Sequence, residues 1–342
     1  MNIVYNGQFV SWGTRMLRTM ATRFPNLKIQ LTYIGLVLFV SCHQKKNSKE
    51  IPVESSNVTK ERIEAITPLG DTLRTPGIKA GKLKDKYEAA FKDYEKYPDS
   101  AEALIWYGRR TAYLRHFQKA IVIYSEGIQK FPKDARMYRH RGHRYISTRQ
   151  YDKAIADFKK AADLVKDLPD QTEPDGLPNS RNIPISTLKG NIWYHMGLAY
   201  YLKGDMKNAL VAYQKRDVTN KYDDNLVSGG HWLFMILRRL GRDAEAYSAI
   251  SNIDNNMDVI ENTRYYEMCL FYKGLLEEDE LKMIGDGSSS DDVYYYGLGN
   301  WNLYQTKDTA KAQRLYKRLL DNGNPYSFAY LAAEADWKRL FD

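Results

Sequence analysis

Apolar residues recur with a helical period along most of the chain from about residue 83, and the pattern repeats. Two segments can be superposed at a shift of 34 residues, so that Gly108 matches Gly142 and Ala120 matches Ala154. An aromatic residue follows each of these alanines four positions later. Small residues let two helices approach closely, and an aromatic residue one turn further on fills the space between units. The spacing therefore predicts stacked helix pairs.

A period of 34 residues is that of tetratricopeptide repeats, and the chain resembles proteins of this family. Pro132 blocks continuation of its helix at the end of the first unit. The resemblance implies an all-α, right-handed solenoid of about five to six helix pairs over residues 79–342. In the last pair, Gly297 and Tyr316 take the places of the small and the aromatic residue. Clear repeats are predicted at about 101–134, 135–164 and 190–220, and degenerate repeats over 227–342.

One interruption breaks the period between the second and third repeats. The surplus of 21 residues falls at about 165–188 and contains several prolines. Long loops without secondary structure of their own are uncommon in compact folds and are often functional. A tolerated surface insertion is the alternative.

The first 42 residues have the three parts of a secretory signal: a basic region, the apolar run 33–40, and Ser41 before Cys42. The run is too short to span a bilayer, which needs about 20 residues. Its end resembles a bacterial lipoprotein signal, which implies that Cys42 is diacylated and anchors the chain to a membrane. A cleaved signal without a lipid and a poor membrane anchor are alternatives, and all three place the rest of the chain outside the cytoplasm, in the cell envelope or periplasm. The polar residues 43–78 predict a flexible tether.

Composition and charge change this interpretation little. The chain has 43% hydrophobic and 27% charged residues, which is typical of a folded protein and excludes disorder for most of its length. Four of its basic residues lie before Cys42, so the net charge of +9 falls to +5 without them. A balance of this size gives little support to a nucleic-acid partner.

Motifs for catalysis or cofactor binding are missing from the sequence, including Cys-x-x-Cys, His-Glu-x-x-His and Gly-x-Ser-x-Gly. We therefore predict no catalytic residue, no cofactor and no metal site. Four histidines lie on predicted first helices, namely His140, His143, His195 and His231. They leave an alternative open: a metal-binding or hydrolytic enzyme that uses His143 and His231, with the 165–188 insertion as a lid.

First helices line the concave groove of tetratricopeptide proteins, and the resemblance implies a groove of the same kind in this chain. The predicted groove residues are Arg109, Tyr113, Arg136, Arg139, His143, Tyr194, Tyr201 and His231. Arginine presents a planar fork to carboxylates and tyrosine gives rigid contact area, so the mixture indicates an acidic peptide or a C-terminal carboxylate. Arginines paired with local acids are the alternative. The sequence thus predicts a non-catalytic protein-interaction scaffold at the cell envelope that binds a peptide or helix.

Overall fold

The computed structural model describes residues 62–217, 219, 221–281 and 289–342. In these ranges the chain forms a two-stranded hairpin and thirteen α-helices, with a 3₁₀ turn at Glu278–Glu280 and a π-helical turn at Asn302–Thr306. The elements are β1 (Ile63–Ile66), β2 (Thr72–Arg74), α1 (Lys82–Lys96), α2 (Ala101–Tyr113), α3 (Phe117–Lys130), α4 (Ala135–Ser147), α5 (Tyr151–Val165), α6 (Leu188–Lys203), α7 (Met206–Asp217), α8 (Asp223–Arg239), α9 (Asp243–Ala249), α10 (Thr263–Tyr272), α11 (Ser289–Trp301), α12 (Thr309–Asn322) and α13 (Phe328–Leu340).

The helices pack in consecutive pairs, which confirms the predicted all-α solenoid. The pairs are α2 with α3, α4 with α5, α6 with α7, α8 with α9, and α11 with α12. First helices of neighbouring pairs also touch, because α4 contacts both α2 and α6. The C-terminal helix α13 packs on α11 and α12 and also reaches α6. The degenerate C-terminal part therefore packs back onto the middle of the solenoid.

A glycine of the first helix lies against an aromatic ring of the second in three successive pairs. These contacts join Gly108 to Tyr124, Gly142 to Phe158, and Gly197 to Tyr213. A Cβ atom at these glycines would lie 2.5, 2.9 and 2.6 Å from the ring, closer than van der Waals contact allows. The small residue and the aromatic residue of each repeat therefore pack directly against each other.

The last pair uses Gly299 for this contact, so the prediction of Gly297 was wrong. Gly299 lies directly under the ring of Tyr316, whereas Gly297 faces the side chain of Met268. The interval from glycine to aromatic ring is therefore one residue longer here than in Gly108 to Tyr124. A π-helical turn holds one residue more than an α-helical turn, and the turn after α11 takes up the extra residue.

Side-chain caps explain where the first helices begin. Ser100, Asp134 and Thr187 each precede a first helix and accept a hydrogen bond from a backbone N–H in its first turn. The first backbone N–H groups of a helix have no acceptor within the helix, and such a cap supplies one. A cap of this kind stabilises the helix by about 1 kcal/mol. Helices α2, α4 and α6 therefore start at positions that local sequence determines.

Residues 62–78 do not form the flexible tether predicted for 43–78. The hairpin places Glu64, 2% exposed, beside the start of α3, where its carboxylate accepts a hydrogen bond of 2.7 Å from the backbone N–H of Gln118. The hydroxyl of Thr75 donates to the same carboxylate at 2.6 Å. The prediction was wrong here because these polar side chains cap a helix. Residues 43–61, the signal at 1–42 and Cys42 lie outside the described residues.

Two clusters of buried side chains form the core. The smaller one joins α1 to α4 around Leu104 and Tyr124. The larger one extends from α4 to α13 and contains Trp232, which is fully buried. Among the described helices, none combines the length and the apolar character needed to cross a membrane.

Candidate functional site

Part of the insertion lies against the first helices α2, α4 and α6. Arg109 donates a hydrogen bond of 2.9 Å to the carbonyl oxygen of Pro174, and Arg110 donates one of 2.6 Å to that of Gly176. Gly176 also packs directly on the phenol of Tyr113, with no space for a Cβ atom. We name this surface of α2, α4 and α6 the inner face.

Residues 173–176 contain two acids, Glu173 and Asp175, of which Glu173 is buried, with 7% of its surface exposed. Its carboxylate lies 3.0 Å from the Arg139 guanidinium and also accepts a hydrogen bond from the side chain of Asn191. His140 lies 3.7 Å away, but burial and the charge of Arg139 lower its pKa well below the usual value. The pair with Arg139 is therefore the ionic contact. We name residues 173–176 the inner-face segment.

The inner face carries more positive than negative charge. Burial lowers the pKa of Arg144 to about 10, and the nearby charges of Arg139 and Arg109 act in the same direction. Asp175 lies near Arg109, whose charge lowers the pKa of this acid, while Arg110 and Arg144 lie on the same face of the described chain. Glu173 therefore neutralises one arginine of a larger basic cluster.

The insertion is held at its base and at its far end. An antiparallel bridge between Thr172 and Thr187 closes the base. At the far end, Arg181 pairs with Asp258 at 2.7 Å, between the insertion and the loop before α10. Both partners are about half-exposed or more, so this ion pair adds little stability.

The predicted groove arginines have different partners. Arg109, Tyr113 and Arg139 meet the inner-face segment, as described above. Arg136 does not, because it pairs with Asp134 and Glu102 at 2.7 Å each. Those hydrogen bonds, led by the one to Asp134, raise the pKa of Arg136 above its ordinary value. For Arg136, pairing with local acids is the correct alternative.

Two further predicted groove residues are buried in the core, which corrects their assignment. Tyr201 is 0% exposed and shares a hydrogen bond of 2.6 Å with the hydroxyl of Tyr296. His231 is 1% exposed and stacks on the ring of Tyr272. The prediction assumed that the repeats continue regularly, whereas α10, α11 and α13 pack back against α6 and α8. His143 and His231 therefore do not share a site.

His143 and Tyr194 line a pocket of about 340 Å³ beside the insertion. Its lining residues are His143, Asp175, Ile185, Ser186, Thr187, Gly190, Asn191, Tyr194, His195, Arg216, Thr219, Asn225, Ser228, Glu261, Asn262, Tyr265 and Phe328. Burial lowers the pKa values of His143 and His195 well below the usual range, so both rings are neutral at neutral pH. Among the described residues, no group of three His, Cys, Asp or Glu side chains could hold a metal ion.

Comparisons with known proteins find similarity to solved structures alone. No family model and no curated protein matches the sequence. The structure of YrrB, described as a TPR protein with an unusual peptide-binding site, is 17% identical, with a TM-score of 0.40 over 72% of this chain and 98% of that one. The Cut9–Hcn1 structure of the APC/C is 13% identical, with a TM-score of 0.30 over 69% and 46% of the two chains. Naa15/Naa10 bound to HypK is 13% identical, with a TM-score of 0.24 over 70% and 39%.

The repeated contact between a first-helix glycine and a second-helix ring decides the architecture. This is a tetratricopeptide-type solenoid. The chain spans less than half of the Cut9 and Naa15 structures that it matches.

Several residues of this solenoid's site were not predicted from the sequence. Glu173 and Asp175 belong to the insertion, whose length and prolines were the available signal. Glu261 lies in the loop before α10, where no repeat pattern marks it. Arg216 lies at the end of α7, a second helix, and second helices are not expected to line a groove. Asp175, Arg216 and Glu261 meet in one pocket because the insertion and the loop before α10 both reach α6 and the end of α7.

Proposed function

We propose that this protein is a non-catalytic interaction scaffold whose inner face holds an acidic peptide segment of a partner protein. We further propose that it works at the cell envelope, held there by a lipid on Cys42. The location is supported by the signal-like sequence alone. The binding mode is supported by the way in which the inner face holds a segment of its own chain.

The observation that carries the binding proposal is the inner-face segment itself. Arg109 and Arg110 donate to main-chain carbonyl oxygens, a contact that any peptide sequence can make. Arg139 takes the carboxylate of Glu173, a contact that requires an acidic side chain. The inner face therefore recognises the main chain of a peptide through Arg109 and Arg110, and selects an acidic side chain through Arg139.

The geometry also defines the partner. A matching peptide carries an acidic residue followed three positions later by glycine, because Gly176 has no room for a Cβ atom against Tyr113. The inner-face segment is tethered, so it competes at an effective concentration of the order of millimolar. An external peptide must therefore displace it, and Arg144, whose neighbours Arg139 and Arg109 are also positive, favours a partner with more negative charge.

Reversing the charge of Glu173 should open the inner face. In a Glu173→Lys variant the new ammonium would lie beside Arg139, so repulsion should release the segment. A peptide with the sequence of residues 170–180 and blocked termini should then bind at least about tenfold more tightly than to the unmodified protein. Isothermal titration calorimetry measures both affinities.

An Asp163→Lys variant is the matched control, because Asp163 is an exposed acid on α5 that pairs with the exposed Lys166, 3.9 Å away. It should bind the peptide as weakly as the unmodified protein does. A second peptide with lysine in place of its glutamate should bind none of the three proteins. If the Glu173→Lys protein binds both peptides equally, or neither, acidic-peptide recognition is wrong.

The proposed location has its own test. A Cys42→Ser variant should no longer incorporate a radiolabelled fatty acid and should move from the membrane fraction to the soluble fraction, since serine provides no thiol for the lipid. Cys269 is fully buried in α10, so a Cys269→Ser variant controls for acylation at another thiol. Unchanged labelling and fractionation of the Cys42→Ser protein would contradict the lipid anchor and would leave the inner-face proposal untouched.

A further inference from the structure

The pocket beside the insertion shares Asp175 with the inner-face segment, while the residues that line it do not include Arg109 or Arg110. Its volume of about 340 Å³ lies in the range of small-molecule sites. Its lining comes from α4, α6, α13, the end of α7, the starts of α8 and α10, and the insertion, and one side is open to solvent. A compact ligand therefore fits here.

One end of this pocket holds a buried positive charge. Arg216 is 4% exposed and donates hydrogen bonds to the carbonyl oxygen of Asn225 and, at 3.0 Å, to the hydroxyl of Ser228. The nearest carboxylate paired with it in the described chain is that of Asp217, which is 4.0 Å away with a side chain 41% exposed. A guanidinium has five N–H donors and stays charged, so a weakly compensated one in a buried site favours an anionic ligand group.

The other end of the pocket is acidic. One carboxylate oxygen of Asp175 is buried without a hydrogen-bond partner in the described chain. Partial burial raises the pKa values of Asp175 and Glu261. A hydrogen bond from Asn179 lowers that of Glu261, the charge of Asp175 raises it, and Arg109 lowers that of Asp175. A ligand cation placed near both acids would stabilise their negative charges and reduce their mutual repulsion.

The two ends are electrostatically distinct. The carboxylate that most influences the pKa of Arg216 is Asp217, whereas those that most influence Glu261 are Asp175 and Asp224. The rings of Tyr194 and Tyr265 also line the pocket. The Tyr194 hydroxyl accepts a hydrogen bond of 2.9 Å from the Trp232 indole, which holds this ring in place. The pocket therefore offers a cationic end, an aromatic wall and an acidic end.

We propose that this pocket binds a small zwitterion, an α-amino acid or dipeptide, with its carboxylate on Arg216 and its ammonium beside Asp175 and Glu261. The aromatic wall receives the side chain of the ligand. This site goes beyond the scaffold function, because its ligand is free in solution and is held while the inner-face segment, which supplies Asp175, stays in place.

The test uses the full chain and three forms of one probe, the dipeptide Ala-Phe. Isothermal titration calorimetry should show binding of the free dipeptide and a loss of at least about tenfold in affinity when either its carboxylate is amidated or its amine is acetylated. Millimolar free dipeptide without a binding signal, or equal affinity for all three forms, would overturn the proposal.

A variant pair separates the two ends without disturbing the core. Glu261 is exposed, so Glu261→Gln should leave the fold intact and weaken the free dipeptide several-fold, while affinity for the acetylated dipeptide stays the same. Glu245→Gln, an exposed acid paired with Arg242 outside the pocket, should change neither affinity. Equal weakening of both probes by Glu261→Gln would show that the ammonium does not lie at this end. Because the inner-face probe has blocked termini, failure of either proposal leaves the other testable.

Discussion

Replacing Asp336 by alanine should destabilise the protein by about 3–5 kcal/mol, because it leaves a buried guanidinium without its partner. Asp336 lies on α13 and is 0% exposed. It pairs with Arg239 of α8, whose side chain is 5% exposed, and with Arg339 at 2.6 Å. The hydroxyl of Tyr296 donates to the same carboxylate at 2.8 Å. Urea denaturation followed by circular dichroism measures the free energy of unfolding.

Two comparisons make this result specific to the buried charge. Asp321→Ala removes an acid whose side chain is 52% exposed and whose partner is Lys317, so it should cost less than about 1 kcal/mol. A double variant, Asp336→Leu with Arg239→Met, removes both charges and should recover part of the lost stability. If Asp336→Ala costs no more than Asp321→Ala, the pair does not lock α13 to α8.

The same pair gives a pH dependence with a defined sign. Burial raises the pKa of Asp336, but Arg239 and Arg339 outweigh it and hold the pKa below its ordinary value. The stabilisation is therefore fully present above about pH 4, the ordinary pKa of an aspartate, and is lost as the pH falls through the lowered value. The difference between the unmodified protein and Asp336→Ala should shrink below that pH.

Replacing Trp232 by alanine should lower the free energy of unfolding by about 3–5 kcal/mol, because it opens a cavity in the larger core cluster. The indole is 0% exposed and stands edge-on to the ring of Tyr201 at 5.0 Å between centroids. Its N–H donates to Tyr194, so the change also frees one wall of the pocket. Circular dichroism during urea denaturation avoids the change in tryptophan fluorescence.

Two substitutions separate the lost volume from the lost hydrogen bond. Trp232→Phe keeps most of the buried area and loses the N–H donor, so it should cost clearly less than the alanine variant. Trp193→Ala removes a partly buried tryptophan that contacts Lys215, and should cost less than Trp232→Ala. Equal costs for Trp193→Ala and Trp232→Ala would contradict the central position of Trp232.

The inner face shows how a single insertion changes a regular solenoid. The arginines at 109 and 139 lie on first helices, as the repeat predicts, but the chain itself supplies their acidic and carbonyl partners. Arg109 and Pro174 are 65 positions apart in the sequence. A repeat alignment cannot place such a contact, because the insertion has no counterpart in the other units.

The regular part of this protein follows from local sequence: the helix pairs, their caps and the glycine-to-ring contacts of residues 101–217. Each of these depends on residues within one unit, so a local pattern of small, aromatic and capping side chains is sufficient to specify it. Three other features depend on long-range packing: the path of the insertion across the inner face, the burial of Tyr201 and His231, and the meeting of Arg216 with Glu261 in one pocket. These depend on how α10, α11 and α13 pack back onto α6 and α8. Such packing depends on contacts between distant parts of the chain, and a periodic sequence pattern does not predict these contacts.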